Sequence, residues 1–325
     1  MATALAGLMS LPVVGLAPHP TPVDELSRLR ATLGSSAPRL LMKRDDLLSF
    51  GMGGNKVRKL QAVAAEAIAA RADTLITCGG IQSNHARVTA AAGAVLGLRV
   101  VLVLNGAPPA KPTANALLDR LFGAQIRYVA TREARAPLME TVAAELRAAG
   151  HRPFVVPLGA STPTGALGFA RGVTEVVAAG YRPQTIVSAT SSGGTQAGLI
   201  AGSALLGLET HVIGVSADDP AASLSRTVTQ LLEAMATRLG AKASSLGADA
   251  PVEVDDGWVG EGYGVPTPAS IEALDLVART EGILLDPVYT AKAMASLLAR
   301  IRDGAFAPDQ TVLFWHTGGQ VANFL

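Results

Sequence analysis

The sequence predicts an α/β protein of open, twisted, parallel sheets arranged as two domains, and three observations carry that prediction. Short β-branched runs alternate with Ala- and Leu-rich stretches of helical period. The runs are continuously apolar rather than alternating, as strands covered on both faces require. A chain of 325 residues also exceeds what one hydrophobic core usually organises. Alternation of this kind places right-handed crossovers between parallel strands and gathers ligands at the strands' carboxyl ends.

In chain order, the amino terminus MATALAGLMSLPVVGLAP is mildly apolar with no basic leader, so it reads as a packed or frayed arm rather than a secretory signal. Lys56 to Arg71 has helical period, and TLITC (74 to 78) reads as the first buried strand. The next apolar stretch, Val88 to Ala107, is as long as a membrane span. Gly93 and the break Leu96-Gly97-Leu98-Arg99 divide it into the end of a helix (Asn84 to Leu96), a turn and the strand VVLVL (100 to 104). There follow the strand QIRYVA (125 to 130), a helix from Ala134 to Ala149 and the strand FVVPL (154 to 158). Pro- and Gly-rich punctuation from Pro157 to Gly168 is the best candidate for a crossing between domains. Beyond it lie the strand TIVSAT (185 to 190), a helix from Gly194 to Leu206 and the strand HVIGVS (211 to 216). Helices from Ser270 to Thr280 and Ala291 to Asp303 precede the last strand, TVLFW (311 to 315).

Composition narrows the function. A net charge of +1, with acids and bases mixed along the chain, supplies no basic stripe for nucleic acid or anionic lipid. Aromatic residues make up 4 % of the chain, too few for a base-stacking surface. Cys78 is the only cysteine, so no intramolecular disulfide and no cysteine-based metal cluster can form, and a cytoplasmic setting is expected. A small-molecule partner remains, with no metal.

Six segments carry candidate chemistry. In SFGMGGNKVRKL, Gly51, Gly53 and Gly54 precede Asn55 and Lys56, and glycines let backbone approach a ligand closely. The spacing is not that of a Walker A loop, and a surface turn with solvated Lys56, Arg58 and Lys59 is the plain alternative. In ATSSGGTQAGL, Ser191, Ser192, Gly193, Gly194 and Thr195 offer hydroxyls and free N–H groups at a helix start, where the dipole favours a phosphate. A tight strand-to-helix turn uses the same residues, and no GxGxxG fingerprint accompanies them. In CGGIQSNHAR, Ser83, Asn84 and His85 open a helix whose free N–H groups suit a carboxylate. His85 there reads more readily as a cap or packing residue than as a catalyst. Near the carboxyl end, GEGYGVPTP holds Tyr263, LLDPVYTAK holds Tyr289 and Thr290, and LFWHTGG holds His316 and Thr317. Taken singly, each tyrosine is a core residue with a satisfied hydroxyl.

Together, KRDD, GGNKVRKL, GGIQSNHARVTAAAG, SSGGTQAGL, GEGYGVPT, LLDPVYTAK and HTGG resemble, in the same order, the family of D-cysteine desulfhydrases and 1-aminocyclopropane-1-carboxylate deaminases. The resemblance runs from about residue 20 to the carboxyl terminus. It implies the tryptophan-synthase-β-like fold of pyridoxal-phosphate (PLP) enzymes, fold type II. It further implies a larger PLP-binding domain of residues 1–58 with 163–325, a smaller α/β domain of 59–162, and a homodimer. Carried over by motif, Lys56 is the Schiff-base lysine and Ser191 to Thr195 hold the cofactor phosphate. Ser83, Asn84 and His85 flank the substrate carboxylate and cofactor, with Asn84 within reach of a phenolic oxygen, and Tyr263 and Tyr289 stand near the reacting carbons. Ser83, Lys56 and the tyrosines are thus the implied catalytic set.

Within the family, cyclopropane deaminases typically carry Glu after the PVY tyrosine and Leu after the final His; here the residues are Thr290 and Thr317. This resembles the desulfhydrase pattern. A hydroxyl beside the pyridine nitrogen can leave it neutral and so a weaker electron sink, which suits loss of a good β-leaving group. The resemblance therefore implies β-elimination from a small β-substituted amino acid, D-cysteine first, to pyruvate, ammonia and hydrogen sulfide. L-Cysteate or another β-substituted alanine, cyclopropane deamination, β-replacement, and PLP binding without turnover are the alternatives. Departures from the desulfhydrase pattern fall at Gln61, at SSGG and at Ala291.

Overall fold

In the computed structural model, which describes residues 2–325, strands and helices interleave along the whole chain. The elements are α1 (Ala2–Met9), β1 (Val23–Glu25), α2 (Ser27–Leu33), β2 (Arg39–Arg44), α3 (Lys56–Ala69), β3 (Thr74–Gly80) and α4 (Asn84–Leu96). These are followed by β4 (Arg99–Asn105), α5 (Ala114–Leu121), β5 (Gln125–Val129), α6 (Arg135–Ala148), β6 (Pro153–Val155) and α7 (Pro163–Ala178). The carboxyl-terminal part holds β7 (Thr185–Thr190), α8 (Gly194–Leu205), β8 (His211–Ser216), α9 (Ala221–Arg238) and β9 (Glu253–Asp255), then α10 (Pro268–Glu281), α11 (Thr290–Arg302) and β10 (Thr311–His316).

The strands form two sheets. One has six strands in the order β1-β2-β10-β7-β8-β9, parallel except for the antiparallel β1-β2 pair at its edge. The other has four parallel strands in the order β5-β4-β3-β6. Both faces of the larger sheet are covered: α2, α10 and α11 pack on one, while Phe169, Val173 and Leu199 from α7 and α8 pack on the other beside Trp315. The smaller sheet lies between α3 and α4 on one face and α6 on the other. This double coverage explains why the central strands lack a polar face, whereas the edge strand β5 exposes Gln125 and Arg127.

Three parts of the chain differ from the sequence expectation. The amino-terminal arm begins as α1, whose Ala4 and Leu8 are buried against α7, α8 and α9. The punctuated stretch after Pro157 does not stay irregular: Thr162 caps Gly165 N–H, Pro163 takes the first helical position, and α7 runs to Ala178. Glycine in a helix costs about 1 kcal/mol against alanine, yet α7 carries three. A side chain at Gly168 would lie 2.6 Å from the Arg58 carbonyl oxygen, and one at Gly172 would lie 2.9 Å from the Trp315 ring. Small residues let α7 sit backbone to backbone on α3, and tertiary contact overrides local propensity. Finally, the structure adds the edge strands β1 and β9, the strand β2 between β1 and β10, and helices α2, α5 and α9 to the elements expected from the sequence.

A buried ionic cluster joins the layers beneath the KRDD motif. Arg58 of α3 donates to both carboxylate oxygens of Asp45, at 2.7 Å each, and to Glu175 of α7 at 2.6 Å. Lys43 of β2 donates to Glu175 at 2.6 Å, and Trp315 Nε1 of β10 donates to Asp45 at 2.8 Å. With its charges paired and its carboxylates bonded several times, the cluster meets the conditions under which buried ions are tolerated.

Candidate active site

One cavity opens between the carboxyl ends of the two sheets, where parallel α/β architecture places ligand sites. At its floor is Lys56, the first residue of α3. The loop before it is held in left-handed backbone, with φ of 53° at Gly51, 74° at Gly53 and 100° at Gly54. Gly54 passes so close to the HTGG loop that a Cβ would lie 2.9 Å from the Thr317 carbonyl oxygen, which also accepts from Asn55 N–H. That contact seats Lys56 against Thr317, and a larger residue would push them apart. Burial lowers the Lys56 pKa from 10.5 to about 8, against the opposing attraction of Asp218.

The second wall is the turn from β7 into α8. Gly193 takes φ 76° and α8 starts at Gly194, where a Cβ would lie 2.6 Å from Ser161 Oγ and 2.9 Å from Lys59 Nζ. Ser192 and Ser161 share a hydrogen bond of 2.8 Å, Asn55 donates to Thr195 Oγ1 at 2.8 Å, and Ser191 donates to Asp218 at 3.0 Å. The sequence pattern does not single out Lys59 as a ligand, yet it is 1 % exposed and, among the described residues, donates only to Ser161 Oγ, at 3.0 Å. Burial, and then repulsion from Lys56, hold its pKa well below the ordinary lysine value. Its position three residues after Lys56, on the same helix face, is the signal that could have found it. Thr190 nearby has a buried hydroxyl without a partner among the described residues. A buried amine with no carboxylate partner among the described residues, a helix N-terminus and a missing Cβ together fit a phosphate group, whose charge would favour the protonated amine.

The third wall is the start of α4. Ser83 caps the helix by accepting from Ala86 N–H at 3.2 Å, which leaves its own proton free. Asn84 Oδ1 accepts from Asn115 at 2.9 Å and from Arg87 at 3.3 Å. His85 is 2 % exposed and bonds through Nε2 to Thr77 Oγ1 at 2.7 Å; that hydroxyl gives its proton to the Val156 carbonyl, so the imidazole must donate. Burial, reinforced by Lys56 and Lys59, drives the His85 pKa to about 3. Neutral at any working pH, His85 borders the cavity as a packing residue with a bare Nδ1 rather than a proton shuttle.

Opposite stand Tyr263 and Tyr289, with hydroxyls 2.5 Å apart and rings at 67°. Burial raises both phenol pKa values, so each holds its proton. Tyr263 rides on a loop with positive φ at Gly260, Gly262 and Gly264, and the buried Lys292 of α11 donates to that loop's Val259 and Gly262 carbonyls at 2.7 and 3.1 Å. Thr317 borders the cavity beside Gly318.

Thr290 corrects the expectation that both threonines meet the cofactor. It is fully buried, away from the cavity lining, and its hydroxyl is engaged on both sides by Asp286: it accepts from the Asp286 N–H and donates to Oδ1, each at 2.7 Å. The bonds cap the start of α11 and consume the group. Two of the three departures from the family pattern also lie outside the cavity lining. Gln61 bonds His19 of the amino-terminal arm at 2.8 Å, and Ala291 is buried in the core under the large sheet. Only the SSGG segment, which stands where the desulfhydrase pattern has GSAG and so differs at Ser191 and Gly193, changes the cavity wall.

Fold and site together define a PLP-dependent enzyme: the profile of the family described as pyridoxal-phosphate dependent enzyme matches residues 14–318, and the chain belongs to that family. Among its relatives, D-cysteine desulfhydrase of Salmonella typhi is 40 % identical over 327 residues, covering 98 % of this chain and 97 % of the relative. D-cysteine desulfhydrase of Klebsiella pneumoniae (strain 342) is 39 % identical over 329 residues, covering 99 % and 98 %. The crystal structure of an ACC deaminase homologue superposes with a TM-score of 0.91 at 34 % identity, over 100 % of this chain and 97 % of that one. The threonine deaminase isoform 2 of Solanum lycopersicum, in its processed form, superposes at 0.69 with 18 % identity, over 98 % and 84 %, a likeness of fold.

Proposed function

We propose that the protein is a β-elimination lyase acting on D-cysteine and giving pyruvate, ammonia and hydrogen sulfide. The observation that carries this reading is the placement of a low-pKa lysine and a hydrogen-bonded tyrosine pair on one cavity whose third corner fits phosphate. Bound PLP supplies an electron sink conjugated to the substrate Cα. Lys59, Ser192, Gly193, Gly194 and Thr195 would hold its phosphate, and Lys56 would be its covalent anchor. The Lys56 amine would also take the Cα proton, a task suited to a pKa near the working pH. Ser83 and the first N–H groups of α4 take the substrate carboxylate, while Asn84 and His85 line the same wall. Tyr289 and Tyr263, both protonated, share one hydrogen bond, so either proton can pass to the departing sulfur. Thr317 presents a hydroxyl rather than a carboxylate near the Lys56 loop, which favours a neutral ring and early loss of the leaving group over cyclopropane opening. Residues 1–58 with 163–325 and residues 59–162 serve as the larger and smaller domains, and the enzyme works as a cytoplasmic homodimer.

The test is a panel of D- and L-cysteine, cysteate, serine and chloroalanine enantiomers and the cyclopropane amino acid. Products are read as pyruvate, 2-oxobutyrate and sulfide, with and without added thiols. D-Cysteine should give pyruvate and sulfide in equal amounts. Formation of 2-oxobutyrate with no elimination from either cysteine enantiomer would overturn the reading, and capture of added thiol in place of pyruvate would make the enzyme a synthase.

A further inference from the structure

Arg87 and Asn115 stand behind the cavity wall and take no part in the chemistry above, yet both are fully buried and polar. Arg87, one turn into α4, donates to the Gly51 carbonyl, to the Gly53 carbonyl at 3.2 Å and to Asn84 Oδ1 at 3.3 Å. Asn115, at the start of α5, donates to the Gln82 carbonyl at 2.9 Å and to Asn84 Oδ1 at 2.9 Å. Gln82 returns the contact by accepting from the Asn115 N–H at 3.0 Å.

The orientation of these amides follows from the partners. The Gln82 carbonyl can only accept, so the Asn115 nitrogen must face it, and that same nitrogen reaches Asn84. A guanidinium can only donate. Asn84 therefore meets two donors on its inner side and must turn its oxygen to them. Its amide nitrogen is left on the side that borders the cavity. We infer that Arg87 and Asn115 are positioning residues that set the Asn84 amide as a donor toward the bound cofactor, and that Arg87 ties this donor to the glycine loop carrying Lys56. Gly51 and Gly53, whose carbonyls Arg87 holds, are both in left-handed backbone. Loss of Arg87 would free the loop and the Asn84 amide together. Asp119, one helical turn beyond Asn115, keeps two buried carboxylate oxygens without hydrogen-bond partners among the described residues, and burial raises its pKa to about 7 against the attraction of Arg87. The inference rests on PLP binding and not on the identity of the substrate.

The test compares Asn115→Leu, Asn84→Ala and their double variant, each as purified holoenzyme, by PLP dissociation constant and by the position and pH titration of the visible absorption band. Melting of each apoprotein reports whether the fold is intact. Asn115→Leu removes the donor within the same approximate volume. It should weaken PLP binding about threefold to tenfold, the effect of one hydrogen bond, and move the band in the same direction as Asn84→Ala. The double variant should match Asn84→Ala alone, because Asn115 acts only through Asn84. A band and an affinity unchanged by Asn115→Leu, or effects that add in the double variant, would overturn the inference. Arg87→Met should produce the same band shift and also raise hydrogen exchange in residues 51–55; protection unchanged there would remove the loop half of the inference. A wild type that is yellow but eliminates from no substrate would defeat the functional reading and leave this one standing.

Discussion

Lys56 illustrates how position alone changes an ordinary side chain. An unperturbed lysine of pKa 10.5 is neutral in about three molecules per ten thousand at pH 7, whereas one near 8 is neutral in about one of ten. The neutral amine is the form that would bond to the cofactor. PLP uptake by the apoprotein should therefore accelerate as pH rises and level off above about 8, and borohydride should leave the pyridoxyl label on the peptide of Lys56. A rate still climbing steeply above pH 9, or a label on Lys59, would refute the assignment. The two threonines separate in the same way. Thr317→Leu alters the cavity wall and should slow D-cysteine elimination about tenfold, or 1.4 kcal/mol in the barrier, with PLP retained. Thr290→Glu instead buries a carboxylate against Asp286 and removes the bonds that start α11, so its expected effect is a fall in melting temperature by calorimetry. Identical fall in kcat for both single variants at unchanged stability would show that Thr290 does reach the reaction. The sequence displayed both residues, and the hydrogen bonds to Asp286 separated them.

At the scale of elements, α8 and the Tyr263 loop carry the next predictions. Any side chain at Gly194 meets Ser161 and Lys59, so Gly194→Val should abolish or greatly weaken PLP retention while the far-ultraviolet circular dichroism stays native. Unchanged cofactor affinity in that variant would remove the phosphate corner. Lys292→Met removes both hydrogen bonds from α11 to the Tyr263 loop. Its expected signature is faster hydrogen exchange over residues 258–266 with a fall in kcat larger than any change in PLP affinity, and Lys292→Arg should restore part of the loss. Seven of the ten strands and most of the long helices were legible, the central strands because burial on both faces leaves an unbroken apolar run and the helices because glycine or a capping residue marks their ends. Helix α7 was not, since its three glycines read as punctuation until Ala160, Arg58 and Trp315 are seen to occupy the space their side chains would need. The short edge strand β1 carries no run long enough to announce itself.

For the molecule as a whole, the cluster of Asp45, Arg58, Lys43, Glu175 and Trp315 joins the amino-terminal strands, α3, α7 and the last strand. Asp45→Asn leaves Arg58 buried with one carboxylate fewer and should cost about 3–5 kcal/mol of stability, measured by urea unfolding of the holoenzyme. A loss under about 1 kcal/mol would show that the cluster is not fully formed in solution. Burial works to raise the Asp45 pKa, but Arg58, with help from the Trp315 hydrogen bond, holds it below the usual carboxylate range. With its folded value depressed, Asp45 adds stability above the unfolded pKa, and that stability is lost as pH falls through the folded value. The wild type should therefore lose stability in acid below about pH 4, more steeply than Asp45→Asn.

Local and short-range signals were sufficient for the alternating α/β pattern, the seven motifs and the lysine at the head of α3, because burial, helix capping and glycine turns act over a few residues. Those motifs also reached the cofactor and the family. Tertiary structure alone decided which hydroxyls and cations face the cavity. Lys59 became a phosphate candidate only when Ser161, a hundred residues away, came within 3.0 Å without bringing a carboxylate. Thr290 left the cofactor site only when Asp286 was seen to hold its hydroxyl, and the partner that fixes His85 as a neutral packing residue, Thr77, is set by the tertiary structure. In each case residue type and spacing stated what a group can do. Which partner satisfied it first depended on contacts between elements far apart in the chain, and a linear pattern does not encode those distances.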